Sequence, residues 1–144
     1  MGSMEYKRKK RWSNYGTDKC REYLRNDFSH ECAYCKIQEK EVGLIDTQYF
    51  EIDHFRPQSD NDDNFNPHLY NNLYYSCQKC NREKSDTWSE ELLDPCKDNI
   101  FSGENSCIVE GYDEQNFYKY RALNQRGQYY IDTFKLNSRY NIRI

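Results

Sequence analysis

The sequence predicts a small α+β fold whose core is stapled at four cysteines, on three observations. The chain is polar, with 36% hydrophobic residues over 144 positions and a mean hydropathy of −1.21. The usual hydrophobic fraction is ~45–50%, so the apolar core is modest and the fold needs a second source of stability. Four of the seven cysteines form two C-x-x-C pairs, Cys32/Cys35 and Cys77/Cys80, separated by 41 residues. Between them lies FEIDHFRP (residues 50–57), a strand-like alternation interrupted by a carboxylate and an imidazole, and just ahead of the second pair lies NNLYY.

The elements follow in order. Met1-Gly2-Ser3, ahead of a second methionine at Met4, reads as a cloning remnant. KRKKRW (7–12) is a basic arm, either solvated or laid along a nucleic-acid backbone, where Lys and Arg release counterions. GTDKCREYLRNDF reads as a helix capped by Thr17 or Asp18, with Cys20, Tyr23, Leu24 and Phe28 on one face, so Cys20 is a small core residue. CAYCK is a knuckle turn. TQYFEIDHF is a strand ended by Pro57, with Phe50, Ile52 and Phe55 toward the core. QSDNDDNFNPHLYNN is a polar loop, LYYSC a short second strand, and CNREKSDTWSEELL a second knuckle running into a helix. DPCKDNIFSGENS is loop. Residues 115–123 suit a strand and 128–136 a strand or helix around Gly127, after which Asn137 or Ser138 would cap a last helix. The organisation read from this is a remnant and basic arm (1–12), a core (13–95), and a C-terminal extension packing on it (96–144).

No apolar run approaches the ~18 residues of a membrane span, and no signal-peptide pattern opens the chain, which points to a cytoplasmic protein without a membrane partner. An odd cysteine count argues against a closed disulfide framework, and a reducing compartment favours metal binding at the paired thiols. Net charge is −3, unevenly spread. Residues 1–25 hold eight Lys/Arg against three acids and residues 113–144 six against three, whereas 26–112 hold seven against eighteen. Basic flanks around an acidic middle suit a phosphate-gripping surface beside a cation site, although solvated acidic loops account for much of the middle.

Two thiolates three residues apart on a tight turn reach one ion, and two such turns complete a tetrahedral site, so Cys32, Cys35, Cys77 and Cys80 are assigned to structural Zn²⁺. A redox role for the pairs would need a βαβ context that is absent. Structural zinc contributes on the order of 10–16 kcal/mol, comparable with the whole stability of a small domain. A closed four-sulfur site has no open position, so this ion holds the fold and does no chemistry. Clamping the 41 intervening residues makes neighbours of Asp53, His54, Asn72 and Asn81.

The two knuckles, EIDH followed by a proline three residues after the histidine, NNL, and CQKCNREK together resemble the HNH endonucleases, a ββα-metal group, over about residues 30–88. HFRP, LLDP and FKLNSR are further similar to the HNH nucleases of retron- and Septu-type antiphage systems. Asn81 stands where many members carry histidine, an H-N-N version, and an amide oxygen suits a hard cation, Mg²⁺ or Mn²⁺. The resemblance implies a ββα-metal core with flanking helices. In it His54 is the general base, Asp53 and Asn81 hold the catalytic cation, and Asn72 pins the two strands. Asn71 competes for that last role. Adjacent strand residues face opposite ways, so Asp53 and His54 should sit where the strand bends, or be aimed by the metal and the loop.

Arg56, Arg82 and Lys84 are candidates for phosphate contacts. His68 is read as solvated surface, and His30 as a loop residue beside the knuckle with a zinc-ligand or thiolate-bonding role as its alternative. Glu51 is read as an outward strand residue, the alternative being a carboxylate that supports the site from behind Asp53. Cys96 and Cys107 are left as buried or free thiols. The tyrosine-rich 112–130 stretch packs in strands or stacks bases. The implied function is metal-dependent hydrolysis of DNA, one strand per monomer, as effector of a bacterial defence system with an ATPase or other subunit as partner. The competing reading is a vestigial zinc-stabilised nucleic-acid-binding or protein-docking module.

Overall fold

The computed structural model describes residues 6, 8, 14–42, 49–60, 62–101 and 104–138. The cloning remnant, the basic arm other than Arg8, and the helix expected beyond Ser138 lie outside the described residues. The chain divides into two compact units after Trp88, where the sequence reading placed the boundary after residue 95.

The first unit, Tyr6–Trp88, contains helix α1 (Asp18–Asp27), strands β1 (Phe50–His54) and β2 (Leu73–Cys77), and helix α2 (Gln78–Lys84). Thr17 caps α1, its Oγ1 accepting from the Cys20 N–H at 3.2 Å, and the apolar face expected of this helix buries Cys20, Leu24 and Phe28 fully. Burying Leu24 and Phe28 stabilises by roughly 1.5–3 kcal/mol each. β1 and β2 pair antiparallel, in register from Phe50 opposite Cys77 to His54 opposite Leu73. Arg21 of α1 donates to the Phe50 carbonyl at 2.6 Å, tying helix to sheet.

β2 is buried along its whole length, so its tyrosines work on both faces. Tyr75 stacks on Phe50 with ring centroids 4.9 Å apart, and Tyr74 stacks on Phe55 at 4.9 Å and Tyr34 at 5.9 Å. Such pairs add about 0.5–1.5 kcal/mol each beyond area burial. Along β1 the expected alternation does not hold: Phe50 is buried, Ile52 is only half-buried, and Asp53 and His54 are buried. The core has taken the polar pair and left the aliphatic residue at its edge.

Arg8, within the expected arm, lies over the rings of Phe28, Tyr70 and Tyr74 at 5.0, 4.8 and 5.2 Å. Its guanidinium donates to the Tyr70 and Asn71 carbonyls, at 2.8 and 3.0 Å. α2 spans the second knuckle itself and stops at Ser85, whose φ of 49° breaks the helix expected to run on to Leu93.

The second unit, from Ser89 onward, holds strands β3 (Ile108–Tyr112) and β4 (Tyr118–Ala122) and helix α3 (Gln125–Phe134). β3 escaped the sequence reading because its glycine and glutamate dilute the β signal. The hairpin turn is set by Asp113, whose Oδ1 accepts the Gln115 and Phe117 N–H groups at 2.9 Å, and by Asn116 at φ 69°. Asn124 caps α3. Gly127 is required where it stands, because a Cβ there would lie 2.3 Å from the Cys107 carbonyl oxygen. Asn137 caps no helix among the described residues. Its side chain clamps the backbone of Tyr120, accepting from N–H at 2.7 Å and donating to C=O at 2.8 Å.

Glu39 joins three parts of the first unit. Its carboxylate takes two bonds from Arg25 at 2.8 Å and one from the Tyr75 hydroxyl at 2.5 Å. Arg25, working against desolvation, holds its pKa below the ordinary carboxylate value. A depressed pKa contributes stability above the unfolded value, about 4.3, which is lost as pH falls through the folded one. Glu39→Gln is therefore expected to lose about 1–2 kcal/mol at pH 7 and to show a shallower decline than the parent below about pH 4.3, read by urea melts across pH.

Candidate active site and cysteine centre

Cys32, Cys35, Cys77 and Cys80 are all buried, and their sulfurs lie within 4.8 Å of one another. Local backbone builds this convergence. The first knuckle closes as Lys36, at φ 69°, donates its N–H to the Cys32 carbonyl at 3.0 Å, and Ala33 N–H reaches Tyr75 O at 2.8 Å to fix the knuckle on β2. Sulfurs accept backbone N–H groups in both knuckles: Cys32 Sγ from Tyr34 and Cys77 Sγ from Cys80, each at 3.4 Å.

Four clustered sulfurs cannot all ionise on their own. Against the desolvation of full burial, thiol hydrogen bonds from Cys35, Cys77 and Cys80 hold Cys32 well below the ordinary thiol range. Hydrogen bonding to Cys32 and Cys35 pushes Cys77 far up, and burial together with the Cys32 and Cys35 bonds does the same to Cys80. A divalent cation resolves that conflict by stabilising every thiolate together. The donor set fits Zn²⁺.

A second cluster gathers at a cleft of about 380 Å³, lined by Tyr15, Ile52, Asp53, His54, Pro57, Gln58, Asn81, Ser85 and Asp86. Three consecutive β1 residues line it. Side chains from both faces of β1 therefore meet in it.

Asp53 is 5% exposed. Its Oδ2 accepts from the Tyr34 hydroxyl at 2.5 Å and lies 3.5 Å from Lys84 Nζ. Both contacts fall on Oδ2, which leaves Oδ1 for the cleft. Burial raises the Asp53 pKa to about 6, with Lys84 and Tyr34 pulling the other way. A cation at Oδ1 would favour the carboxylate. Asn81 donates its Nδ2 to Glu51 Oε1 at 2.7 Å, which turns its amide so that Oδ1 remains for the cleft. One carboxylate and one amide oxygen form a hard donor pair suited to Mg²⁺ or Mn²⁺.

His54 is buried, with Nε2 at 3.1 Å from His68 Nδ1 and Nδ1 at 3.3 Å from the Gln58 amide nitrogen. Desolvation, reinforced by His68 and Lys84, lowers its pKa to about 4, so the ring is neutral at pH 7 and able to take a proton. Asn72 holds the strand exit: its Oδ1 accepts from Arg56 N–H at 2.9 Å, and its Nδ2 donates to the Arg56 and Pro67 carbonyls at 3.0 and 2.9 Å. Asn71 is exposed, and its backbone carbonyl accepts from Arg8.

The three cations expected at phosphate are placed differently from one another. Lys84 is fully buried, pairing with Asp53 and donating to the His54 carbonyl at 3.2 Å, so it supports the site from beneath instead of facing a ligand. Arg56 is engaged by Asp60 and Asp62 at 2.7 and 3.2 Å and lies over Phe65 and Trp88, ordering its own loop. Arg82 is exposed on α2. His30 hydrogen-bonds Asn26 and lies apart from the cysteine cluster.

Sequence reasoning undervalued three residues. Lys84 shares a helix face with Asn81, three residues apart, and Glu51 shares a strand face with Asp53, two apart, so both were findable from periodicity. His68, read as solvated surface, is indeed exposed but bonds His54, and no local pattern announces that.

Cys77→Ser or zinc extraction by a strong chelator is expected to unfold the first unit, seen as loss of native near- and far-ultraviolet circular dichroism. A retained native spectrum would remove zinc as the source of its stability.

No curated protein and no solved structure matches the chain. Residues 32–87, under half of the 144, match the family model described as HNH endonuclease, and that span contains all four cysteines of the centre together with Asp53, His54, Asn72 and Asn81.

Proposed function

We propose that this chain is a metal-dependent HNH endonuclease that hydrolyses DNA phosphodiester bonds and nicks one strand per monomer. The observation that carries the reading is that Asp53, His54 and Asn81 line one cleft, while Lys84, Tyr34 and Glu51 engage the atoms that the chemistry does not use.

Asp53 Oδ1 and Asn81 Oδ1 would hold the divalent cation. Bound there, it supplies charge relief on the phosphate and on the leaving 3′ oxygen. The remaining work belongs to the chain. Neutral His54 removes a proton from water as its oxygen attacks phosphorus and the P–O3′ bond breaks. Asn72 keeps the end of β1 in place relative to β2, so that the base does not drift. Lys84 holds Asp53 beneath the cleft, and full burial removes it from competition for the substrate.

A single His54 per chain supports cleavage of one strand at a time. The eighteen acids against seven Lys/Arg in residues 26–112 support a partner subunit, such as an ATPase, that adds to the grip on DNA. The likeness of HFRP, LLDP and FKLNSR to defence nucleases supports a role as effector of a bacterial antiphage system.

Purified protein with supercoiled plasmid and Mg²⁺ or Mn²⁺ is expected to yield nicked circles, and none with EDTA. His54→Ala should lower the rate by about 10²–10⁴-fold with an unchanged melting temperature. Equal cleavage by His54→Ala would show that another group is the base, and no cleavage by the parent would leave the binding-module reading.

A further inference from the structure

Both ring nitrogens of His54 are engaged, and not equivalently. Nδ1 faces the amide nitrogen of Gln58, an exposed residue of the cleft wall, and that nitrogen can only donate. Nδ1 of His54 is therefore the acceptor. A neutral imidazole carries one proton, so it sits on Nε2, 3.1 Å from Nδ1 of His68. His68 is held for this contact from three directions. Its ring stacks on Tyr15 with centroids 4.9 Å apart, and Tyr15 also meets His54 edge-on at 4.6 Å. Its backbone N–H donates to Asn66 Oδ1 at 3.0 Å. The preceding residue, Pro67, is fastened by the Asn72 amide that also fastens the exit of β1.

We propose that His68 is the positioning residue of the base. Its Nδ1 accepts the Nε2–H of His54, which fixes the tautomer and ring orientation and leaves the Nδ1 lone pair of His54 turned to the cleft. The Gln58 amide then stands where an attacking water would donate, and being exposed it yields that place. This rests on the nuclease reading for its catalytic consequence but not for its geometry. In the general arrangement of a base oriented by a third group, a histidine here fills the place that a carboxylate or backbone carbonyl fills elsewhere.

Two substitutions separate positioning from packing. His68→Phe keeps an aromatic ring against Tyr15 and removes the acceptor, whereas His68→Asn loses the stack and keeps an amide oxygen near the place of Nδ1. In the plasmid-nicking assay His68→Phe should lower kcat by about 10–100-fold with KM unchanged, while His68→Asn stays within about threefold of the parent. The reverse order, an active Phe and a disabled Asn variant, would overturn the proposal.

A second measurement does not depend on activity. In protein carrying ¹⁵N-histidine at neutral pH, the His54 signals, assigned by their loss in His54→Ala, should report a protonated Nε2 and an unprotonated Nδ1 in the parent and in His68→Asn. His68→Phe should give a mixture of tautomers. A parent protonated on Nδ1 refutes the assignment, whether or not the protein cuts DNA. A parent with the expected tautomer and no nicking refutes the nuclease reading alone.

Discussion

Four sulfurs brought within 4.8 Å of each other, all of them buried, are the constraint on which the first unit stands. Thiols so placed repel as they ionise and leave weak hydrogen-bonding groups buried if they do not. A cation at its centre would stabilise all four thiolates together. One knuckle is bonded to β2 through Ala33, and the other is the N-terminal turn of α2. The same centre thus fixes the start of the helix that carries Asn81 and Lys84 against the strand that carries Asp53. With so few aliphatic residues, the aromatic stacks of Phe50, Tyr75, Tyr74, Phe55 and Tyr34 fill space around a frame set by the four converging cysteines.

The site depends on desolvation as much as on position. Asp53 and Lys84 are an ion pair taken almost wholly from water. Such a pair gains little net stability over an apolar replacement, and removal of either partner leaves a buried charge uncompensated. Its value here lies in placement. Lys84 and Tyr34 both act on Oδ2 of Asp53, and Glu51 acts on the amide nitrogen of Asn81, so each prospective ligand presents one chosen oxygen. Burial also keeps His54 uncharged. Residues that each look unfavourable in isolation thus satisfy one another around a single cleft.

Much of this was legible from residue spacing. The cysteine pairs, the capped helix after Thr17, the two short strands and the grouping of Asp53, His54 and Asn81 are local patterns with a period or a fixed offset. What escaped reading depends on tertiary context. Ile52 and the Asp53–His54 pair exchanged their expected burial, the polar pair taking partners inside while Ile52 stays half-buried. Arg8 looked like a solvated charge in a basic run, yet its guanidinium meets three aromatic rings that are distant in sequence. His68 lies in a segment without periodicity, and its partner is fourteen residues away. Ser85 ends α2 through a positive φ that serine seldom adopts, where the composition downstream still favoured helix.

One side chain has an evolutionary consequence. Asn72 binds Arg56 at one end of the long loop and Pro67 at the other, so a single amide draws the neck of that loop closed. Residues inside a neck closed in this way can be added or removed without displacing what lies outside it, and each doubling of length costs only about 0.6 kcal/mol. Diversity can therefore accumulate between Gln58 and Asn66, beyond the residues that line the cleft, while the strand exit and the start of β2 stay in register.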